Sequence, residues 1–137
     1  MEDPKQKELQ EKYMEMQMFE QRIKQVQTQL QSINNQTLEI NATIANVNDF
    51  ETMKSGSETL VPLNNGIFLR TTLKENKEFI VNVGSGIAVN KSPEKLKEML
   101  SKQKNELETV QGHLLKALED LGVQAKNTEE ELALLVK

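Results

Sequence analysis

Apolar residues return every seven positions through the first part of the chain, give way to short alternating runs in the middle, and then return. With Leu9 as position a of a heptad, the a residues are Leu9, Met16, Ile23, Leu30, Thr37 and Ile44, and the d residues are Lys12, Phe19, Val26, Ile33, Ile40 and Val47. Only Lys12 and Thr37 break the apolar seam. About six heptads of this kind, interleaved with Gln, Glu and Lys, predict a coiled-coil helix. It begins at Pro4 or Lys5 and runs to about Met53, where Ser55-Gly56 stops it.

A second helix is predicted from Ser92 onward. Ser92 can cap it, Pro93 suits the first helical position, and Glu94 complements the positive end of the helix. Leu100, Leu107, Leu114 and Leu121 recur every seven residues, and Thr128 and Leu135 continue the register. Leu96, Val110 and Ala117 fill d positions, Gln103, Gln124 and Glu131 occupy others, and Leu118 and Leu132 fall at e. Gly112 and Gly122 each cost roughly 1 kcal/mol relative to Ala inside a helix, so the outer half of this arm is expected to be the softer one.

Between the helices, residues 56–90 lack any helical repeat. Glu58-Thr-Leu-Val-Pro-Leu63, Ile67-Phe-Leu-Arg-Thr-Thr-Leu73, Phe79-Ile-Val-Asn-Val83 and Ile87-Ala-Val-Asn90 read as short strands cut by turn residues. Asn65-Gly66 and Gly84-Ser85-Gly86 supply the positive φ angles of tight hairpin turns. Ile67, Leu69, Thr71 and Leu73 fall on one face, as do Phe79, Val81 and Val83, while Arg70, Thr72 and Asn82 fall on the other. Two hairpins, each with one face to bury, are expected. They have too little core to stand alone, and their edges recruit further strands. No helix is evidently placed to cover them, so the missing strands are expected from other chains. The assembly residues are Leu60, Val61, Leu63, Ile67, Leu69, Phe79, Val81, Val83, Ile87 and Val89.

Each helical arm has about 45 residues, on the order of 70 Å at roughly 1.5 Å per residue. A globule of 137 residues has a radius of gyration of only about 14 Å. The fold class is therefore α+β dominated by helix, a long antiparallel two-helix coiled coil joined by two β-hairpins. The expected divisions are an N-terminal coiled-coil helix at 1–55, a double-hairpin oligomerisation segment at 56–91 and a C-terminal coiled-coil helix at 92–137.

Composition agrees with long solvated helices: 28% charged residues, 4% aromatic, six glycines, three prolines and a mean hydropathy of -0.59. The absence of cysteine excludes disulfides and thiolate metal sites. A lone histidine, His113, leaves no zinc cluster and no Ser-His-Asp arrangement. The polar N-terminus has no apolar signal core, and no run is long enough to span a bilayer, so a cytoplasmic protein with no membrane partner is expected. A net charge of -4 argues against nucleic acid as a partner. Asn35-Gln-Thr37 and Asn41-Ala-Thr43 fit the glycosylation pattern, which is idle without secretion.

Three motifs admit sharper readings that fail on inspection. The leucines spaced by seven suggest a DNA-binding zipper, but Asn90-Lys-Ser-Pro-Glu-Lys ahead of them mixes charges and holds a proline. Gly84-Ser85-Gly86 lacks the following Gly-Lys-Ser/Thr of a phosphate loop and precedes a strand. His113 flanks a coiled-coil seam. No catalytic constellation, metal site or cofactor site emerges, and an enzyme is not expected.

The helix ends away from the hairpins differ from ordinary coiled coil. Leu132-Ala-Leu-Leu-Val136 places apolar residues in succession, and at about 100° per residue they cover every side of a helix. One partner helix can cover only the Leu132 and Leu135 side, leaving Leu134 and Val136 in water. At the other terminus Met16 and Phe19 belong to the seam, while Met14 and Met18 do not. Exposed apolar surface of this kind marks an interaction site, and methionine suits a surface that accepts many shapes. The substrate-binding tip is expected to comprise Leu9, Tyr13, Met14, Met16, Met18, Leu132, Leu134, Leu135 and Val136.

Hub, paired arms and tip together resemble the prefoldin family, and the two hairpins resemble its alpha class, since beta-class subunits carry one. The likeness is carried by Glu58-Thr-Leu-Val-Pro-Leu63, by Phe79-Ile-Val-Asn-Val-Gly-Ser-Gly-Ile-Ala-Val89, and by Lys102-Gln-Lys-Asn-Glu-Leu-Glu108. The hub is most similar to archaeal forms. The resemblance implies an ATP-independent holdase. Two alpha and four beta subunits would join their hairpins in a β-barrel platform, so the partners would be a second alpha subunit and beta-class subunits. Tips would grip unfolded polypeptides and hand them to a group II chaperonin. A different reading of the same residues is a structural coiled-coil adaptor with one fixed protein partner.

Overall fold

A computed structural model describes residues 3–75 and 77–136. The expected divisions also take in Met1, Glu2, Asn76 and Lys137; these four lie outside the described residues. The chain order is helix α1 (Pro4–Thr52), strands β1 (Glu58–Asn64), β2 (Ile67–Thr72), β3 (Phe79–Gly84) and β4 (Ile87–Lys91), and helix α2 (Pro93–Val136). Two long helices and two hairpins bear out the helix-dominated α+β expectation.

Both helices begin where their capping residues dictate. Asp3 Oδ1 accepts a hydrogen bond from the Lys5 amide at 3.1 Å, and Pro4 occupies the first turn, where its missing N–H costs nothing. Ser92 Oγ accepts from the Lys95 amide at 3.3 Å, and the Ser92 carbonyl accepts from the Leu96 amide at 2.9 Å. Thr37, the polar residue in the α1 seam, donates its hydroxyl to the Ile33 carbonyl at 2.9 Å, so it enters the seam without an unmet hydrogen bond.

The chain forms two compact units, one built from the stretch up to Thr37 together with Glu106 onward, the other from Leu38–Asn105. In the first, Lys12 pairs with Glu131. In the second, Lys97 Nζ lies 2.5 Å from Glu51 Oε2, and Val47, Leu96 and Leu100 form the buried apolar cluster. In each unit, residues early in α1 meet residues late in α2, or the reverse, as an antiparallel pair requires.

Along α1 the covered positions follow the predicted heptad: Leu9, Lys12, Met16, Phe19, Ile23, Val26, Leu30, Ile33, Thr37, Ile40 and Ile44 are half-buried and Val47 is buried. Along α2 the leucines hold their places, but their companions are shifted. Lys104, Gln111, Leu118, Ala125 and Leu132 are covered, whereas Gln103, Val110, Gln124 and Glu131 are exposed. The two residues three and four positions beyond each leucine flank it on opposite sides of the helix, and spacing alone does not choose between them. Leu118, Ala125 and Leu132 give the +4 side more apolar surface, and that side faces inward. In heptad terms the leucines are d residues, not a residues, and Val110 is outside the seam.

The hairpins form two separate two-stranded antiparallel sheets, β1 with β2 and β3 with β4. Their turns share one construction. Asn65 and Gly66 have φ of 52° and 76°, and Ser85 and Gly86 have 53° and 73°, the doubly positive pattern of a type I′ turn. Immediately before each turn the register shifts, and the residue at that shift also has positive φ: Asn64 at 142° and Gly84 at 112°. The first hairpin is tied at its base by the Gly56 amide to the Leu73 carbonyl (2.7 Å) and the Leu73 amide to the Ser57 carbonyl (2.8 Å). Thr59 and Thr71, directly opposite one another, bring their hydroxyls to 2.6 Å.

Contrary to expectation, the second hairpin is covered by a helical base. Ile40, Ile44, Phe79, Val81 and Met99 pack against the Val47–Leu96–Leu100 cluster. Phe79 and Val81, assigned from sequence to assembly, thus belong to the chain's own core. The first hairpin has no such cover: Leu60 through Arg70 are all exposed.

Candidate functional site

Two apolar surfaces remain in solvent. The first lies in the unit that contains both chain ends. Of the residues assigned to the tip, Leu9, Met16, Leu132 and Leu135 are half-buried within the seam. Tyr13, Met14, Met18, Leu134 and Val136 are exposed, with Met14 at 69%, Leu134 at 70% and Val136 at 66%. The helical period separates the two sets: Met14 and Met18 stand one turn apart on an α1 face that the seam does not touch. A depression of about 560 Å³ runs along that face, lined by Glu11, Met14, Glu15, Gln17, Met18 and Gln21. The Lys12–Glu131 pair brings this part of α1 beside the last turns of α2.

The second surface is the hairpins. Leu60, Val61, Leu63, Ile67, Leu69, Val83 and Ile87, all assigned to assembly, are exposed, while Val89 is half-buried along with Phe79 and Val81. Two further residues belong with them. Phe68 is 56% exposed and Ile80 is 79% exposed. Phe68 pairs across the strands with Pro62, so it shares a face with Leu60 and Arg70, opposite the face of Val61 and Leu69. Both faces of the first hairpin are therefore apolar. The signal was present in the uninterrupted Ile67-Phe68-Leu69 and Phe79-Ile80-Val81 runs, since strands buried on both sides read as continuous apolar stretches, not alternating ones.

Among the described residues no group of His, Cys, Asp and Glu is placed to hold a metal ion, and no helix is long and apolar enough to cross a membrane. His113 is exposed on α2.

Two helices of this length joined by two bulged hairpins are matched by known proteins. Residues 19–137 match the family described as prefoldin subunit. The chain belongs to the prefoldin family. A prefoldin subunit alpha of Archaeoglobus fulgidus is 26% identical over 127 residues, covering 93% of each chain. Prefoldin alpha subunits of Methanobrevibacter smithii and Thermofilum pendens are 33% and 31% identical over 94 and 83 residues, covering 69% and 61% of this chain. Those two alignments span 64% of the relatives' own length. In solved structures, a chain of the filamentous prefoldin from Methanocaldococcus jannaschii has the same fold, with a TM-score of 0.77, 15% identity, and coverage of 87% of this chain and 98% of that one. The alpha-class resemblance read from the hub is borne out by these prefoldin relatives.

Proposed function

We propose that this prefoldin-family chain is a subunit of an ATP-independent chaperone that holds non-native polypeptides at its apolar tip. The observation that carries this reading is the exposure of Met14, Leu134 and Val136 at 69%, 70% and 66%, beside a seam that already covers Leu9, Met16, Leu132 and Leu135. Each tip offers a small patch, so one contact is weak and reversible. Several tips on one platform supply avidity without a nucleotide cycle, and release needs only competition at some of them.

The platform in this proposal is the hairpin segment, residues 56–91, with 1–55 and 92–137 as the arms. Leu60, Val61, Leu63, Ile67, Phe68 and Leu69, exposed on both faces of one hairpin, are the kind of contiguous apolar surface that marks an interaction site, and unpaired strand edges flank them. They are proposed to join the hairpins of a second alpha and four beta subunits in a β-barrel. A cytoplasmic complex that passes its clients to a group II chaperonin completes the proposal.

The test is light scattering of several unrelated denatured proteins. The full chain, assembled with beta-class subunits, is expected to suppress their aggregation. A form lacking Met1 to Gln17 and Leu121 to Lys137 is expected to keep its oligomeric mass and lose suppression. Suppression retained by the shortened form would move the binding site elsewhere, and activity toward a single protein only would favour an adaptor with a fixed partner.

A further inference from the structure

We infer that the tip selects unfolded segments in which apolar side chains alternate with lysine or arginine, and disfavours equally apolar segments rich in acid. The inference rests on the tip being the gripping surface and adds the charge class of what it grips.

Three of the five exposed apolar side chains at the tip stand one helical turn from a glutamate: Met14 beside Glu11, Met18 beside Glu15, and Leu134 beside Glu130. Glu11, Glu15, Met14 and Met18 line the same depression. Cations do not offset these carboxylates in full. Over Met1–Gln17 and Leu121–Lys137 together, five lysines stand against eight acids, a net charge of -3 where the whole chain carries -4. The tip thus holds most of the chain's net negative charge. Lys12, which follows Glu11 in the chain, is engaged by Glu131 and by Glu15. Glu11, Glu129 and Glu130 are exposed, and no ion pair engages them among the described residues.

A client segment laid over Met14 and Met18 therefore meets carboxylates at its rim. Lysine or arginine there gains attraction and faster encounter, and aspartate or glutamate meets repulsion that apolar contact must overcome. The rim is solvated, so the effect is a preference that salt screens, not a requirement.

The test uses two fluorescent peptides with identical apolar residues, one with lysine and one with glutamate at every polar position, and the full chain assembled as purified. Anisotropy at about 50 mM salt is expected to show the lysine peptide binding at least about fivefold more tightly, with the ratio approaching one by about 0.5 M. In a Glu11→Gln/Glu129→Gln/Glu130→Gln variant, helical by circular dichroism, the ratio is expected to collapse at low salt too. Equal binding of both peptides to the natural chain would overturn the charge preference and leave the tip reading standing. Binding of neither peptide would remove the tip reading itself. A lysine preference that survives the triple variant would assign it to the chain's overall charge and overturn the inference.

Discussion

Lys12 interrupts the apolar seam of α1, and the fold pairs it across the two helices with Glu131, which stands beside the α2 seam. Glu131 is exposed at the flank of the α2 seam, one position before Leu132, and from there its carboxylate reaches the Lys12 ammonium inside the α1 seam. A charge inside an apolar seam, met by one partner at its flank, fixes register, because sliding either helix by one heptad separates the charges.

The hydrogen bond from Lys12 to Glu131, more than the charge attraction of Glu131 and Glu15, holds the Lys12 ammonium above its ordinary value of 10.5 despite opposing desolvation. A lysine whose pKa is raised by folding contributes stability in full below 10.5 and loses it as pH rises through the raised value. The stability of the natural chain relative to Lys12→Met is expected to fall between pH about 8 and about 11.5. Urea unfolding followed by circular dichroism at both pH values checks it; a constant difference would mean the pair is open in solution.

Gly112 and Gly122 lie in the interior of α2, and a Cβ at either would meet nothing within 4 Å. Replacing each with alanine is expected to raise stability by about 1 kcal/mol. Thermal melts of the single and double variants test this, and a loss of stability would show that the outer arm depends on flexibility at these points.

Val47, Leu96 and Leu100 are 4%, 5% and 6% exposed and are the only buried apolar residues among the described ones. Leu96→Ala is expected to cost about 2–4 kcal/mol, because the cavity it leaves is bordered by two helices that relax only partly. Chemical denaturation of the isolated chain gives the value. The same geometry changes how assembly is probed. Val81→Asp would place a charge against this cluster and unfold the base, whereas Ile80 points away from it.

Ile80→Asp and Phe68→Asp are expected to leave the chain's helicity unchanged while preventing its assembly with beta-class subunits. Both side chains are more than half exposed in the single chain, so a charge there costs little until another strand must cover it. Light scattering that shows a full-size complex for either variant would remove that face from the platform.

Asn64 holds φ of 142° where the second hairpin has Gly84 at 112°. Asn64→Gly is expected to stabilise the first hairpin by about 1 kcal/mol, and Gly84→Ala to destabilise the second by a similar amount. Melting of the hairpin amides in hydrogen exchange distinguishes the two.

Much of this architecture was legible because the repeats are long and the second cap specific: Pro4, Ser92-Pro93 and the α1 heptads each fix an element from local chemistry alone. The α2 register was not, since the residues at +3 and +4 from Leu114, Leu121 and Thr128 are equally spaced choices that only the opposing helix resolves. Phe68 and Ile80 escape strict alternation because their runs are apolar on both faces. The packing of Phe79 and Val81 onto Val47, Leu96 and Leu100 joins residues far apart in sequence, and no periodicity within β3 encodes it. At the tip, the order of apolar residues showed which of them one helix partner could not cover, and their exposure follows from that geometry.

Where an unfolded client touches the molecule decides between a gripping tip and any other binding surface. A photo-crosslinking side chain placed singly at Met14, at Leu134, at Phe68 and at Leu38, an exposed apolar residue outside the α1 seam, measures that contact directly. Crosslinks to denatured client from positions 14 and 134, and none from 38 or 68, are predicted. Equal crosslinking at position 38, or crosslinking confined to position 68, would contradict the gripping tip.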